Sequence, residues 1–308
     1  MTGGPTTEYP GYYFENLTEN SENESSCGSL DVDNWMQILI LLLAPLGLLG
    51  NGAVLWLLGF RVRRTPFSVY ILNLAAADAL FLCSAFLISI DAFFGSIFDH
   101  LAKIILRFLR FISYTAGLSL LAAISTERCL SALFPVWYRC HCPKRTAASV
   151  CAVLWTLAGM LRAIYFFRDL EFRRIFYAVY FLLLTCVLCA SSLTLLLRVR
   201  CGSRRPRPPR LSLLVLLTVL VFLLCGLPWG VGDVVYFHLH IDFIPYWLYD
   251  LLACVNSSVN PLIYFFVGRL GHKRREPLRL VLQRALGDEQ ESGSGTTDPP
   301  QPSQETTL

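Results

Sequence analysis

Long apolar segments separated by short polar connectors make up most of the chain. Seven of these segments reach the length of about 20 mostly apolar residues that a membrane-spanning helix needs. They run roughly over Trp35–Gly59, Phe67–Asp91, Leu101–Leu133, Ala147–Phe167, Phe172–Val199, Leu211–Phe237 and Phe243–Val267. Composition agrees, since 55% of the 308 residues are hydrophobic and only 16% are charged. The pattern therefore predicts an all-α membrane protein whose residues 35–268 form a seven-transmembrane helix bundle.

Basic residues are concentrated in the first, third and fifth connectors between these segments. No Lys or Arg precedes Arg61, whereas residues 1–34 contain several carboxylates. Cytoplasmic loops are enriched in Lys and Arg, so this distribution predicts an extracellular amino terminus and a cytoplasmic carboxyl terminus. Residues 1–34 have neither the basic nor the apolar region of a signal peptide, and we expect them to form an extracellular tail.

The two ends of the chain have their own signals. Sequons at Asn16 and Asn23 predict glycosylation of the amino-terminal tail. Residues 269–286 mix apolar and basic side chains and predict a short amphipathic eighth helix on membrane lipid. Residues 287–308 have the composition of a disordered cytoplasmic tail, whose phosphorylation would recruit arrestin. The final residues, Thr306 to Leu308, match a PDZ ligand, although so short a match also arises by chance.

Several polar side chains lie deep within the predicted helices, where they are costly: Asn51, Asp78, Asn256 and Asn260. Intramembrane ionisable groups indicate functional sites with internal partners. The alternative is a polar cluster that only holds the helices together. Pro228 and Pro261 each remove a backbone hydrogen bond from a predicted helix, so both are candidate hinges.

Glu127 and Arg128 end the third predicted helix, just before Pro135. Two charges beside a long apolar run are expected to pair with each other at the membrane rim. An ion pair that can open is a candidate switch. The alternative is an arginine that extends to the interface with a helper carboxylate, and the sequence of this pair leaves both open.

Other classes of membrane protein fit the sequence less well. A transporter or channel remains an alternative, but the chain has no internal repeat of the kind that transporters often contain. An intramembrane hydrolase needs a nucleophile paired with a base, and Cys83 and Cys254 have no His at comparable depth. The Cys140-His141-Cys142 run lacks a second pair of zinc ligands. The sequence thus calls for no enzymatic activity, metal, cofactor or nucleic-acid partner.

Signatures on five predicted helices together resemble those of rhodopsin-like G-protein-coupled receptors. They are Asn51 in GNGAVLW, Asp78 in LNLAAAD, Trp155, Pro228 in CGLP and the run Asn260 to Tyr264, NPLIY. Glu127-Arg128-Cys129 stands as a variant of the Asp-Arg-Tyr triplet of that class. Longer stretches, including GLSLLAAISTERCLSALFPVWYRCHCP and NSSVNPLIYFFVG, are similar to the Mas-related receptors over about residues 46–289.

This resemblance implies a plasma-membrane receptor that couples an extracellular ligand to a heterotrimeric G protein. The family is associated with sensory neurons, mast cells and itch or pain. By the likeness, Arg128 is the residue released toward the G protein and Glu127 is its partner in the inactive state. Asp78 with Asn260 and Tyr264 would form the internal relay.

The chain also departs from the receptor class. Gly226, two residues before Pro228, stands where most of the class carries Trp. The cysteine pair that usually ties the third helix to the second outer loop is missing. Both departures also fit an orphan or modulatory receptor with high basal activity, so this alternative stays open.

The ligand prediction rests on charge. Arg110 lies eighteen residues before Arg128, five turns away on the same helix face, and Arg107 is one turn further out. Arginine forks bind carboxylates, so a cavity lined by these residues favours an anionic small molecule or peptide. The full candidate pocket is Arg107, Arg110, Tyr114, Tyr165, Arg173, Arg174, Asp233 and Tyr236. Alternatively, internal carboxylates neutralise the arginines; the candidates are Asp91, Asp99, Asp169, Glu171 and Asp233.

Overall fold

The computed structural model describes residues 29–61, 65–95, 97–134, 138, 146–167, 170–201, 210–239, 245–269 and 280. Within these ranges, seven helices are long and apolar enough to cross a membrane, and no strand is present. The predicted seven-helix membrane fold is therefore confirmed. The glycosylation sites Asn16 and Asn23 and the run Thr306 to Leu308 lie outside the described residues. The same is true of the predicted eighth helix apart from Leu280.

The helices follow the predicted apolar segments closely. Their bounds are α1 Ser29–Trp56, continued by a π-helical turn Leu57–Arg61; α2 Pro66–Phe94; α3 His100–Leu133; α4 Thr146–Phe167; and α5 Leu170–Cys201. α6 consists of Arg210–Val221 and Leu227–Leu239, joined by a π-helical turn Phe222–Gly226, and α7 is Tyr246–Arg269. α1 thus begins inside the segment predicted to be tail, while its apolar span starts at Trp35 as expected.

Local caps mark both ends of α2 and the start of α3. Thr65 and Ser68 form a capping box at the start of α2, with Pro66 in the first helical turn. α2 ends at Gly95, whose φ of 78° lies in the left-handed region that favours glycine. Asp99 then caps α3 by accepting a hydrogen bond from the backbone N–H of Ala102 at 3.2 Å. The caps at Gly95 and Asp99 hold the start of α3 in a fixed register beside the end of α2.

α3 occupies the centre of the bundle. It packs against α2, α4, α5 and α6, while α7 closes the ring by packing on α1, α2 and α6. Large apolar side chains on the outer surface, such as Leu182, Leu262 and Phe266, are exposed and would face lipid. Seven cysteines whose side chains are described are free: Cys83, Cys129, Cys151, Cys186, Cys189, Cys225 and Cys254.

The π-helical turn in α6 lies immediately before the predicted hinge. A proline inside an α-helix lacks the N–H for one backbone hydrogen bond, and its ring collides with the carbonyl four residues earlier. For Pro228 that carbonyl belongs to Leu224, which lies inside the π-helical turn. The wider turn accommodates the proline and re-aims the second half of α6.

Candidate functional site

Arg110, Asp250 and Trp229 form a buried cluster that joins α3, α7 and α6. Arg110 makes an ion pair with the Asp250 carboxylate, and the two side chains are only 7% and 15% exposed. The indole N–H of Trp229 donates to the same carboxylate oxygen at 3.0 Å. The Arg110 guanidinium also lies 5.7 Å from the centroid of the Trp229 ring. One carboxylate thereby receives a cation and a neutral donor from two different helices.

Asp250 was missing from the sequence prediction, although a signal for it exists. It is the only carboxylate in the apolar segment Phe243–Val267, and a lone intramembrane acid implies a functional partner. The prediction instead named other acids. In the structure, Asp91 pairs with Lys103 at 3.2 Å, and Asp99 caps α3. For Arg110 the structure therefore agrees with the alternative in which an internal carboxylate neutralises the arginine. The partner is Asp250, which was not among the predicted acids.

Tyr114 connects the cluster to the π-helical turn of α6. Its hydroxyl donates to the carbonyl of Gly226 at 3.0 Å, and its ring centroid lies 4.4 Å from that of Trp229. Gly226 is a place where backbone and side chains approach closely. A Cβ added there would stand 2.5 Å from the Phe222 ring and 3.2 Å from the side-chain amide carbon of Asn256. Phe222 thus fills the space next to Gly226 that a larger residue at that position would need.

A second polar cluster lies deeper in the bundle and joins α1, α2 and α7. The side-chain amide of Asn260 donates to an Asp78 carboxylate oxygen at 2.7 Å. Asn51 donates to the carbonyl of Gly47 at 3.0 Å and to the carbonyl of Ser257 at 2.9 Å. Asn51, Asp78 and Asn260 are all buried. Of the four polar residues predicted to lie deep in the helices (Asn51, Asp78, Asn256 and Asn260), the structure therefore brings Asn51, Asp78 and Asn260 into one buried polar cluster.

Asn256, the fourth relay residue, borders a narrow cavity between the two clusters. Asp78, Tyr114 and Phe222 line the same cavity. Tyr264 lies one turn beyond Asn260 on α7 and is fully buried, with Asp78 close enough to act on it electrostatically. The cavity therefore links the predicted relay residues to the cluster of Arg110, Asp250 and Trp229, because Tyr114 lines the cavity and contacts Trp229.

The other end of α3 holds the predicted switch pair against the start of α2. Arg128 is 7% exposed, and its guanidinium lies 4.9 Å from the centroid of the Phe67 ring. The Glu127 carboxylate lies beside the hydroxyl of Tyr70, one turn further along α2. Arg128 is thus held by Phe67 and Glu127 by Tyr70, both aromatic residues of α2. The sequence did not reveal these two contacts. The capping box at Thr65 holds these aromatic residues in register.

Side-chain hydroxyl groups join α3 and α5. Ser125 lies 2.8 Å from Ser191 and 2.9 Å from Ser192, measured between side-chain oxygens. Further along the same interface, the Ser119 and Tyr180 hydroxyls are 2.8 Å apart. These contacts fix α5, which has no proline, along one side of α3.

The remaining pocket residues are only partly described. Arg107 is exposed on α3, and Tyr114 is buried. The structure does not describe the side chains of five predicted pocket residues: Tyr165, Arg173, Arg174, Asp233 and Tyr236. For the residues that are described, the predicted pocket divides into an accessible Arg107 and a buried, paired Arg110. The pairing argues against an anion bound to Arg110 alone.

The fold and these clusters define a class. Residues 50–174 match the sequence model of the family described as "7 transmembrane receptor (rhodopsin family)". Over residues 50–174 the chain is thus similar to the seven-transmembrane receptors of the rhodopsin family.

Curated relatives narrow the class further. The chain is 43% identical to the Mas-related G-protein coupled receptor member X2 of Hoolock hoolock, with 92% of each chain covered. It is 46% identical to member X1 of Homo sapiens, with 84% of this chain and 85% of the relative covered. It is 40% identical to member X1 of Rattus norvegicus, with 92% of each covered. The chain belongs to the Mas-related G-protein-coupled receptors.

Membership in this family has plain consequences. The protein is a multi-pass plasma-membrane receptor that signals through a G protein in response to an extracellular ligand. It is a receptor and not an enzyme. The transporter and channel alternatives are excluded by the same finding.

Proposed function

We propose that the receptor binds a small molecule or peptide beside the Arg110–Asp250 pair and transmits this event along α6 and α7 to a heterotrimeric G protein at Arg128. The observation that carries the proposal is the shared carboxylate of Asp250, which ties α3, α6 and α7 together by an ion pair and the Trp229 hydrogen bond. In the proposed orientation, the amino terminus and Arg110 face the extracellular side of the membrane, and Arg128 faces the cytoplasm.

The proposed first step acts on α6. A ligand that draws Arg110 or Asp250 away from its partner weakens the hold on the Trp229 indole. Because Tyr114 contacts both Trp229 and the carbonyl of Gly226, the displacement reaches the π-helical turn. A ligand shifts this equilibrium only by its difference in affinity for the two arrangements. The hinges Gly226 and Pro228 then allow the second half of α6 to move relative to the first.

The proposed second step acts on α7 and α3. Asn256 borders both Gly226 and the cavity that contains Asp78, so a change in α6 alters the surroundings of the Asp78–Asn260 hydrogen bond. Pro261 follows directly and serves as the hinge of α7. Movement of Tyr264 and separation of Arg128 from Phe67 would open the G-protein site. Glu127 then remains held by α2 while Arg128 leaves.

The ion pair also constrains the ligand. A carboxylate that displaces Asp250 leaves a buried acid without its cation, which costs several kcal/mol. A purely anionic ligand is therefore disfavoured at Arg110. Arg107 is the accessible cationic group of the described pocket residues, and it is the better candidate for binding an acidic group of a ligand.

A second candidate within the receptor class is high basal activity. The missing side chain at Gly226 favours it, because the Phe222 ring, and not a side chain of residue 226 itself, occupies the place beside the hinge. We further propose a role in sensory signalling of itch or pain, or in mast cells, on family resemblance alone. Arrestin binding to the carboxyl-terminal tail belongs to the same proposal.

Nucleotide exchange without ligand tests the proposed coupling. The purified receptor in lipid nanodiscs would be assayed with a panel of G proteins, beside Arg128→Ala. Arg107→Ala is the matched control, since it removes the same charge from the other end of α3. Exchange lost only in Arg128→Ala would establish coupling with basal activity, whereas silence in all three proteins would support a ligand-dependent receptor. Basal exchange that persists undiminished in Arg128→Ala would overturn the role of Arg128.

A further inference from the structure

The π-helical turn at the end of α1 brings Trp56 and Arg61 together. In a regular α-helix, residues five apart point about 140° away from each other. A π-helical turn contains an extra residue and brings positions five apart closer to the same face. The turn Leu57–Arg61 has this effect, since the Arg61 guanidinium lies 5.1 Å from the centroid of the Trp56 ring. The contact therefore depends on the unusual turn.

The same turn separates buried from exposed residues. Leu57 and Leu58 are buried in the core. Trp56 is 52% exposed and Phe60 is 82% exposed on the outer surface. Arg61 is also exposed, and it forms no ion pair with a carboxylate of the described residues. The surface thus presents the Trp56 and Phe60 rings and the Arg61 guanidinium toward the surroundings of the bundle.

The position of this surface identifies its surroundings. α1 ends here and α2 begins at Pro66, whose neighbour Phe67 contacts Arg128, so the surface lies at the Arg128 end of the bundle. Arg63 and Arg64 follow in the sequence. Trp is enriched at membrane–water interfaces, and Arg side chains near helix ends extend to the headgroup level. The surface is therefore at the height of lipid headgroups.

We propose that Trp56 and Arg61 bind the phosphate of an anionic phospholipid headgroup. The Arg61 guanidinium lies over the Trp56 ring and remains exposed, and its planar fork of N–H groups matches two phosphate oxygens. The cation–π contact with Trp56 restrains the fork before the lipid arrives, so less side-chain entropy is lost on binding. Phe60 and Trp56 contact the acyl chains, which a free phosphate lacks. The occupant is for these reasons a phospholipid.

Lipid titration followed by native mass spectrometry tests the proposal on the full-length receptor. The probes are phosphatidylserine and phosphatidylinositol 4,5-bisphosphate added to phosphatidylcholine micelles, with inorganic phosphate as a separate competitor. Arg61→Gln should weaken binding of the anionic lipid about tenfold or more, as expected for a charge-assisted bidentate contact. Arg200→Gln is the matched control, because Arg200 is also exposed near the end of a helix, and should lose about fivefold or less.

Two further variants separate a built site from simple charge attraction. Arg61→Lys keeps the charge but loses the planar fork, and Trp56→Leu keeps the charge but loses the stacking surface. Both should bind the anionic lipid severalfold more weakly than the wild type, with unchanged thermal unfolding. Wild-type binding by Arg61→Lys, equal losses in Arg61→Gln and Arg200→Gln, or displacement of the lipid by millimolar inorganic phosphate would each overturn the proposal.

Discussion

Arg110 and Asp250 form an ion pair across α3 and α7, and both side chains are largely shielded from solvent. The two residues are 140 positions apart in the sequence, so the pair exists only in the assembled bundle. Trp229 of α6 donates to the same carboxylate. This arrangement explains how three helices are held together at the Arg110 end without a disulfide among the described residues.

Replacing one partner of this pair should be more damaging than replacing both. Asp250→Leu or Arg110→Met leaves one buried group unmatched and should lower the free energy of unfolding by about 3–5 kcal/mol. The double variant Arg110→Met/Asp250→Leu should lose less than either single variant. Thermal unfolding can be followed by labelling of the buried thiols of Cys151 and Cys254. A double variant as unstable as the sum of the two singles would show that the residues are not coupled.

A methyl group at Gly226 should destabilise the receptor. The added Cβ would meet the Phe222 ring, so Gly226→Ala is expected to cost about 1–3 kcal/mol in unfolding free energy. Gly159→Ala is the matched control, since nothing lies within 4 Å of the added Cβ and alanine favours the helix. Unfolding temperatures of the two variants should move in opposite directions. A shift of the same sign in both would contradict the close approach at Gly226.

Asp91 should matter more than its partner Lys103. The Asp91 carboxylate accepts the backbone N–H of Phe98 at 2.8 Å in addition to the Lys103 ion pair at 3.2 Å. Lys103→Ala removes a partly exposed ion pair and should cost less than about 1 kcal/mol, and high salt should reduce the difference from wild type. Asp91→Ala also leaves the N–H without its acceptor and should cost about 1–2 kcal/mol more. Equal losses of thermal stability would contradict this division of roles.

Phe67 should restrain Arg128. If the proposed release of Arg128 controls coupling, Phe67→Leu removes the cation–π contact and should raise basal nucleotide exchange by about two- to fivefold. Phe67→Tyr preserves an aromatic face and should behave like the wild type. An equal rise in both variants would point to altered packing at the start of α2 instead of to the ring. Arg128→Ala in the same assay reports whether the exchange depends on Arg128.

Much of the fold could be predicted because the bilayer leaves few choices. A segment that spans lipid must satisfy its backbone internally and be apolar over about 20 residues, so composition alone marks the seven helices. Caps such as Thr65 and Asp99 are local signals and also visible in the sequence. The meeting of Asp78 and Asn260 agrees with the expectation that buried polar groups find partners. Their proposed role as a signalling relay remains a prediction.

The sequence by itself determined the seven spans, their polar interior residues and the resemblance to a receptor family, because hydropathy and motif order are properties of the chain. Only the tertiary structure decided that Asp250 pairs with Arg110, that Phe67 covers Arg128 and that Phe222 fills the space at Gly226. Each of these contacts depends on the rotation and tilt of separate helices, which arise from packing many side chains at once. The cation–π contact of Arg61 with Trp56 depends on a single π-helical turn, and the hydropathy pattern of α1 gave no sign of it.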